Sequence, residues 1–150
     1  MSTSSSFLNR VLSSIKGYKG AFPRDNIPIL KMSIKEKKYV IINTDKTSDF
    51  GEHWVCLCFH NNICIYFDTF GLSILENDIK KYVKNMGYNR YVYNYKAIQP
   101  FYSELCGYYV IAFILATHCG QTFDSFINQF EKIENNDAIL INILNYYANL

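Results

Sequence analysis

Cys106 and His53 are the two side chains of this 150-residue sequence best suited to nucleophilic chemistry. Cys106 stands in Ser103-Glu104-Leu105-Cys106-Gly107-Tyr108-Tyr109. With Ser103 as an N-cap, it falls in the first turn of a helix. The unpaired N–H groups and positive dipole end there favour a thiolate, the form of sulfur that attacks carbonyls. Gly107 follows without a side chain, so a substrate backbone can approach the sulfur closely. Gln99 lies seven residues upstream, beside Pro100. A side-chain amide near a reactive Cys can donate to a developing oxyanion. Position alone leaves Cys106 a small buried hydrophobe, the usual fate of an intracellular Cys. Gln99 tilts the balance towards chemistry.

The partner for Cys106 comes from a hairpin. Trp54 to His60 and Ile63 to Asp68 are strand-like runs separated by Asn61-Asn62, a pair that tolerates the positive φ of a tight turn. A two-residue turn sets His60 opposite Ile63, Phe59 opposite Cys64 and Val55 opposite Asp68. His53, two residues before Val55, is then diagonal to Asp68 on the same face. Diagonal neighbours lie roughly 7–8 Å apart, within reach of an imidazole and a carboxylate. A three-residue loop would shift the register and separate them. On the hairpin alone, a loop His and a turn-forming Asp before Gly71 is the plainer reading. The rest of that face is Val55, Leu57, Phe59, Cys64, Tyr66 and Phe70, mostly apolar. A carboxylate at its end would hold the imidazole in one tautomer and raise its basicity.

The remaining thiols invite a metal reading that spacing opposes. Cys56, Cys58 and His60 share one strand face, while His53 points to the other. A structural zinc needs tetrahedral convergence, usually from two separate turns. Buried strand cysteines and no metal are therefore expected. His118 and Cys119 fall at a helix end before Gly120, an ordinary place for a His.

The elements that must position these groups follow from periodicity. Phe7, Leu8, Val11, Leu12 and Ile15 have helical spacing, with Gly17 able to end that helix. The stretch around Gly20, Phe22, Pro23 and Pro28 reads as loop. Tyr39 to Asn43 suits a buried strand, and Thr44 to Glu52 a loop. A helix with Ile79, Tyr82, Val83 and Met86 on one face ends before Gly87. Arg90 to Ile98 reads as a Tyr-rich strand stopped by Pro100. The Cys106 helix closes near Gly120. Thr122 caps a helix with Phe123, Phe126, Ile127, Phe130 and Ile133 on one face, and a last helix runs through Ile139, Ile143 and Tyr147. The order predicts an α+β fold, a small mainly antiparallel sheet packed against helices.

Composition sets the outer limits. The chain is 49% hydrophobic and 17% aromatic, enough for a real core in one domain over residues 1–150. A net charge of +2 is too weak to imply nucleic-acid binding. The runs Lys35-Glu36-Lys37-Lys38 and Lys80-Lys81 read as solvated surface. Five Cys, an odd number, and no apolar targeting core in Met1 to Ser6 argue for free thiols in a reducing, intracellular compartment. The longest apolar stretch, Tyr108 to Ala116, is too short to span a bilayer, so no membrane association is expected.

Taken together, the motifs resemble a family. Ile42-Asn43-Thr44, Gly51-Glu52-His53-Trp54, Tyr66-Phe67-Asp68-Thr69-Phe70-Gly71, Ile98-Gln99 and Leu105-Cys106-Gly107-Tyr108-Tyr109 are similar to the adenovirus-type (adenain-like) maturation cysteine proteases. More distantly, they are similar to the SUMO-deconjugating proteases of the same clan. The likeness runs roughly from Gly20 to Gly120 and keeps the family order His, acid, Gln, Cys. It implies a cysteine-proteinase fold with His53 as base, Asp68 as orienting acid, Gln99 as oxyanion-hole donor and Cys106 as nucleophile. Trp54 and Gly107 would line a narrow substrate groove. Adenoviral members usually carry Glu at the acid position, and Asp68 is instead like the SUMO-protease side. The resemblance implies no metal or organic cofactor. A peptide or nucleic-acid activator stays open, given a shorter C-terminal part and the weak positive charge.

The function implied is endopeptidase cleavage through an acyl-enzyme. Family cleavage favours Gly near the scissile bond. The AT-rich residue usage suits a virophage or polinton-like element, with capsid precursors as substrate, a monomeric enzyme, and a virion or viral-factory location. Three alternatives share the same residues: a deconjugase of a ubiquitin-like modifier, an acyltransferase using the same triad, and a structural or binding protein with Cys106 merely buried.

Overall fold

The computed structural model describes residues 3–31, 36–45 and 53–148. Helix α1 (Ser5–Leu12) leads into strand β1 (Tyr18–Pro23). Strands β2 (Lys38–Asn43), β3 (Trp54–His60) and β4 (Ile63–Phe67) follow, then helix α2 (Asn77–Asn85) and the two-residue strand β5 (Val92–Tyr93). Helices α3 (Cys106–His118), α4 (Phe123–Asn128) and α5 (Asn136–Ala148) complete the order, with a 3-10 turn at Ile133–Asn135. The five strands form one sheet in sequence order. The central pairings, β2–β3 and β3–β4, are antiparallel, and the outer pairings, β1–β2 and β4–β5, are parallel. The fold is α+β as expected.

The hairpin has the register that a two-residue turn dictates. His60 faces Ile63, Phe59 faces Cys64 and Cys56 faces Phe67. Asn61 takes the left-handed conformation, φ 55°, which Asn tolerates better than most residues. Alternation then divides the strands between two cores. Tyr39, Ile41, Cys56, Cys58 and Phe67 join α1, α3, α4 and α5 on one face. Val40, Ile42, Val55, Leu57, Phe59, Cys64 and Tyr66 join Ile79, Tyr82, Val83 and Met86 of α2 on the other. Helix α3 is apolar all round and buried on every side from Tyr109 to Thr117, as such a helix must be.

Several expectations need correction. The Gly20–Pro23 stretch is a strand, β1, not a loop. It is an edge strand that ends at Pro23, where a missing N–H costs no ladder bond. Helix α1 stops at Leu12, before Gly17. The Tyr-rich strand shrinks from 90–98 to Val92–Tyr93, because Tyr95 takes φ 28° and Asn94 bonds through its side chain. Helix α4 ends at Asn128, which leaves Phe130 buried beyond it and Ile133 exposed. Ser103 does not cap α3. The N-cap position is Leu105, and Ser103 Oγ accepts from Leu105 N–H one step earlier. Most of the expected Thr44–Glu52 loop, with Gly51 and Glu52 of the His53 motif, lies outside the described residues, as does Lys35.

Candidate active site

The strand ends bring the candidate groups together. His53 immediately precedes β3, Asp68 immediately follows β4, and Cys106 is the first residue of α3. Where the sheet gives out, side chains are no longer bound to one face. His53 can thus serve a carboxylate from the hairpin and a thiol from the helix on the other side. Its Nε2 is 2.7 Å from Asp68 Oδ1, and its ring stacks on Phe70 at 4.8 Å. With Nε2 committed to Asp68, Nδ1 is the nitrogen left to interact with Cys106. Asp68 is 4% exposed and His53's side chain 16%, so the pair is sheltered from screening.

The electrostatics of the pair favour charge. Burial opposes a charged imidazole at His53. Its hydrogen bonds to Asp68 and Cys106, together with their negative charge, outweigh this and raise its pKa to about 9. Burial likewise opposes a Cys106 thiolate. The His53 hydrogen bond, the Trp54 and Gly107 backbone N–H groups and the His53 charge more than offset it, and the thiol is held below its ordinary value. The core thiols go the other way: burial pushes Cys58 and Cys64 up to about 12 and raises Cys56 well above the usual range. The arrangement can hold a thiolate–imidazolium pair.

Gln99 is 2% exposed and locked in orientation. Its Oε1 accepts from Thr69 Oγ1 at 2.5 Å, and one Nε2 hydrogen goes to the Ser103 carbonyl at 2.7 Å. An amide nitrogen has two hydrogens, so the second is not engaged by that bond. The backbone N–H groups of Ile98 and Gln99 both donate to the Thr69 carbonyl, which ties the Gln99 segment to the Asp68 turn.

The supporting groups escape a reading by sequence. Asn94 is buried, and its side chain clamps the Asp68 backbone: Oδ1 accepts from Asp68 N–H at 3.2 Å, and Nδ2 donates to Asp68 O at 2.6 Å. The available signal was an Asn inside a run of Tyr and Val, where strands disfavour it. Asp68 Oδ1 also accepts from Phe70 N–H at 3.0 Å, an Asx turn. Gly71 completes that turn at φ 73°, where an added Cβ would come within 2.7 Å of Ala97 N. From α5, Asn136 donates to the Ile98 carbonyl at 2.7 Å, and Asp137 accepts from Tyr109 and Ser103 hydroxyls.

The two expected groove residues meet the chain itself. Trp54 is 8% exposed, and its indole N–H donates to the Thr3 carbonyl at 3.0 Å. A Cβ on Gly107 would collide with Thr3 Oγ1. The room that Gly107 leaves is filled here by Thr3.

No protein-family model matches the chain, and no curated protein matches it. Among solved structures, it is similar to the selenomethionine form of ASFV pS273R protease. The TM-score is 0.52 and the identity 18%, over 71% of this chain and 43% of that one. A second ASFV pS273R protease structure gives TM-score 0.51 and 17% identity, over 71% and 42%. SUMO protease Ulp1, with its catalytic cysteine oxidised to a sulfinic acid, gives TM-score 0.39 and 16% identity, over 72% and 54%. The chain therefore has an α+β fold of the kind found in ASFV pS273R protease and spans less than half of that protein's length.

Proposed function

We propose that this chain is a cysteine endopeptidase with Cys106 as nucleophile. The observation that carries the reading is His53 hydrogen-bonded to Asp68 at 2.7 Å and close enough to Cys106 for each to shift the other, the thiol's pKa down and the imidazole's up. The Cys106 thiolate attacks the scissile carbonyl carbon. The oxyanion that forms is held by the second Gln99 Nε2 hydrogen and the Cys106 backbone N–H, at about 3 kcal/mol per donor. Collapse breaks the C–N bond, and the leaving amine takes the proton from His53. Water then gives a proton to His53, attacks the thioester and releases the acid and the thiolate. The Nε2 proton stays on His53 throughout and is donated to Asp68, which orients the ring.

The substrate reading is viral capsid precursors, cut at Gly-containing sites by an enzyme of an adenain-like, virophage or polinton-type element. It is supported by the order His53, Asp68, Gln99, Cys106 and by the fold shared with a viral protease. An intracellular monomer at the virion or viral factory belongs to the same reading.

Co-expression with candidate capsid proteins tests it, comparing wild type with Cys106→Ala. Specific fragments that vanish in the variant, with new termini at small residues, are the expected result. Identical fragments from both proteins would sink the claim.

A further inference from the structure

Thr69 stands between the Asp68 turn and the Gln99 loop and is fully buried. Its hydroxyl donates to Gln99 Oε1 at 2.5 Å, and its carbonyl accepts from the Ile98 and Gln99 N–H groups at 2.8 and 3.2 Å. One residue, next in sequence to Asp68, thus holds both the side chain and the backbone of Gln99. The sense of the amide is fixed at its other end. Gln99 Nε2 lies 2.7 Å from the Ser103 carbonyl, which can only accept. Turned over, the amide would set oxygen against oxygen there. Oε1 therefore faces Thr69, and only a donor at that position completes the arrangement.

A side-chain amide is planar. With Oε1 fixed at Thr69 and one Nε2 hydrogen fixed at Ser103, the direction of the second hydrogen is fixed as well. A hydroxyl bonded to Oε1 also draws electron density towards that oxygen, which makes the Nε2 hydrogens better donors. Without the hydroxyl, Oε1 is left buried and unpaired, and the amide is free to turn towards another partner. We propose that Thr69 is the positioning residue of the oxyanion hole. Its hydroxyl acts only through Gln99, and it holds the free Nε2 hydrogen on the substrate carbonyl oxygen as that oxygen takes up charge. Such a donor works over a narrow range, about 2.7–3.1 Å from the oxyanion, so its aim decides the rate. This proposal rests on the protease reading above.

Two thiol reagents that differ in one respect provide the test. 4-Nitrophenyl acetate acylates a thiolate through a tetrahedral oxyanion: the sulfur bonds to the acetyl carbon, and 4-nitrophenolate leaves with the electron pair of the broken C–O bond. Iodoacetamide alkylates the same sulfur by direct displacement of iodide, and no oxyanion forms. Rates at Cys106, read by mass spectrometry of its peptide, are compared in full-length wild type, Thr69→Val, Thr69→Ser, Gln99→Ala and the Thr69→Val/Gln99→Ala double variant. Thr69→Val keeps the volume and loses the donor, so acetylation is expected to slow about 10–100-fold while alkylation stays within about twofold of wild type. Thr69→Ser keeps the hydroxyl and is expected to acetylate within about threefold of wild type. In the Gln99→Ala background, Thr69→Val is expected to add no further loss, because the hydroxyl has no amide left to hold. Thr69→Ala removes the hydroxyl with less bulk and gives the same comparison if the valine variant does not fold. Acetylation equal to wild type in Thr69→Val, or losses that multiply in the double variant, would overturn the proposal. So would a serine variant as slow as the valine one, or alkylation slowed as much as acetylation, since either makes Thr69 a packing residue of the Asp68 turn. Failure of the protease reading shows differently and takes this proposal with it: wild-type Cys106 then reacts with neither reagent faster than exposed Cys119.

Discussion

At the scale of single residues, His53 controls the site through two neighbours with opposite duties, Asp68 and Cys106. Asp68 raises its affinity for a proton, and Cys106 receives the benefit as a lowered thiol pKa. Two outcomes follow. Peptidase activity should rise as pH climbs through the lowered Cys106 pKa, then fall as pH passes about 9 and His53 loses the proton that the leaving amine needs. A pH–rate profile of kcat/KM measures both limbs. Replacing His53 with Ala removes the hydrogen bond and the positive charge while leaving Cys106 buried, so its pKa should move up. Iodoacetamide labelling at pH 7 is expected to slow about 10–100-fold, read by mass spectrometry of the Cys106 peptide. The hairpin count made the His53–Asp68 pair legible in the sequence, because a two-residue turn leaves one register. The place of Thr3 against Trp54 and Gly107 was not legible. It depends on where α1 docks, and α1's periodicity says only which face is buried.

At the scale of elements, the site is held by loops whose side chains stand in for strand bonds. Asn94 takes the place of a longer β5 by bonding the Asp68 N–H and C=O itself. Asn94→Leu should leave those buried groups unpaired and destabilise the fold by about 1–3 kcal/mol, measured by urea unfolding. It should also slow Cys106 labelling as Asp68 drifts. The Asp68 turn has a second weak point at Gly71. Gly71→Ala forces a side chain into φ 73° and against the Lys96–Ala97 backbone, at about 1–3 kcal/mol in the same measurement. Periodicity gave α2 with its buried face, and Asn61-Asn62 gave the hairpin. It failed at β1 and β5 for one reason. Both are edge strands held by a single neighbour, and their Gly, Pro and Asn content follows local turns more than sheet pairing. Ser103 misled in a similar way, since its Oγ serves the loop before α3 and reaches Asp137.

At the scale of the whole molecule, α3 is the axis around which both the core and the site are organised. Phe113 stacks on Phe67 at 4.7 Å and meets Phe123, Phe126 and Tyr39 edge-on. Phe113→Ala should cost about 3–5 kcal/mol, seen as a fall in thermal midpoint, because a cavity opens between the sheet and α4. The α+β class was legible from the element order, but the division into two cores was not, since it depends on which helices cross to which face. The brace from α5 has a consequence for biosynthesis. His53, Asp68, Gln99 and Cys106 are all translated before Asn136 and Asp137, the residues that pin the Ile98 carbonyl, Ser103 and Tyr109. A ribosome-bound chain that ends short of α5 thus carries every reacting group with the Gln99 loop and the start of α3 unpinned. On the protease reading proposed above, completion of α5 sets the moment at which a newly made copy first becomes able to cut its neighbours.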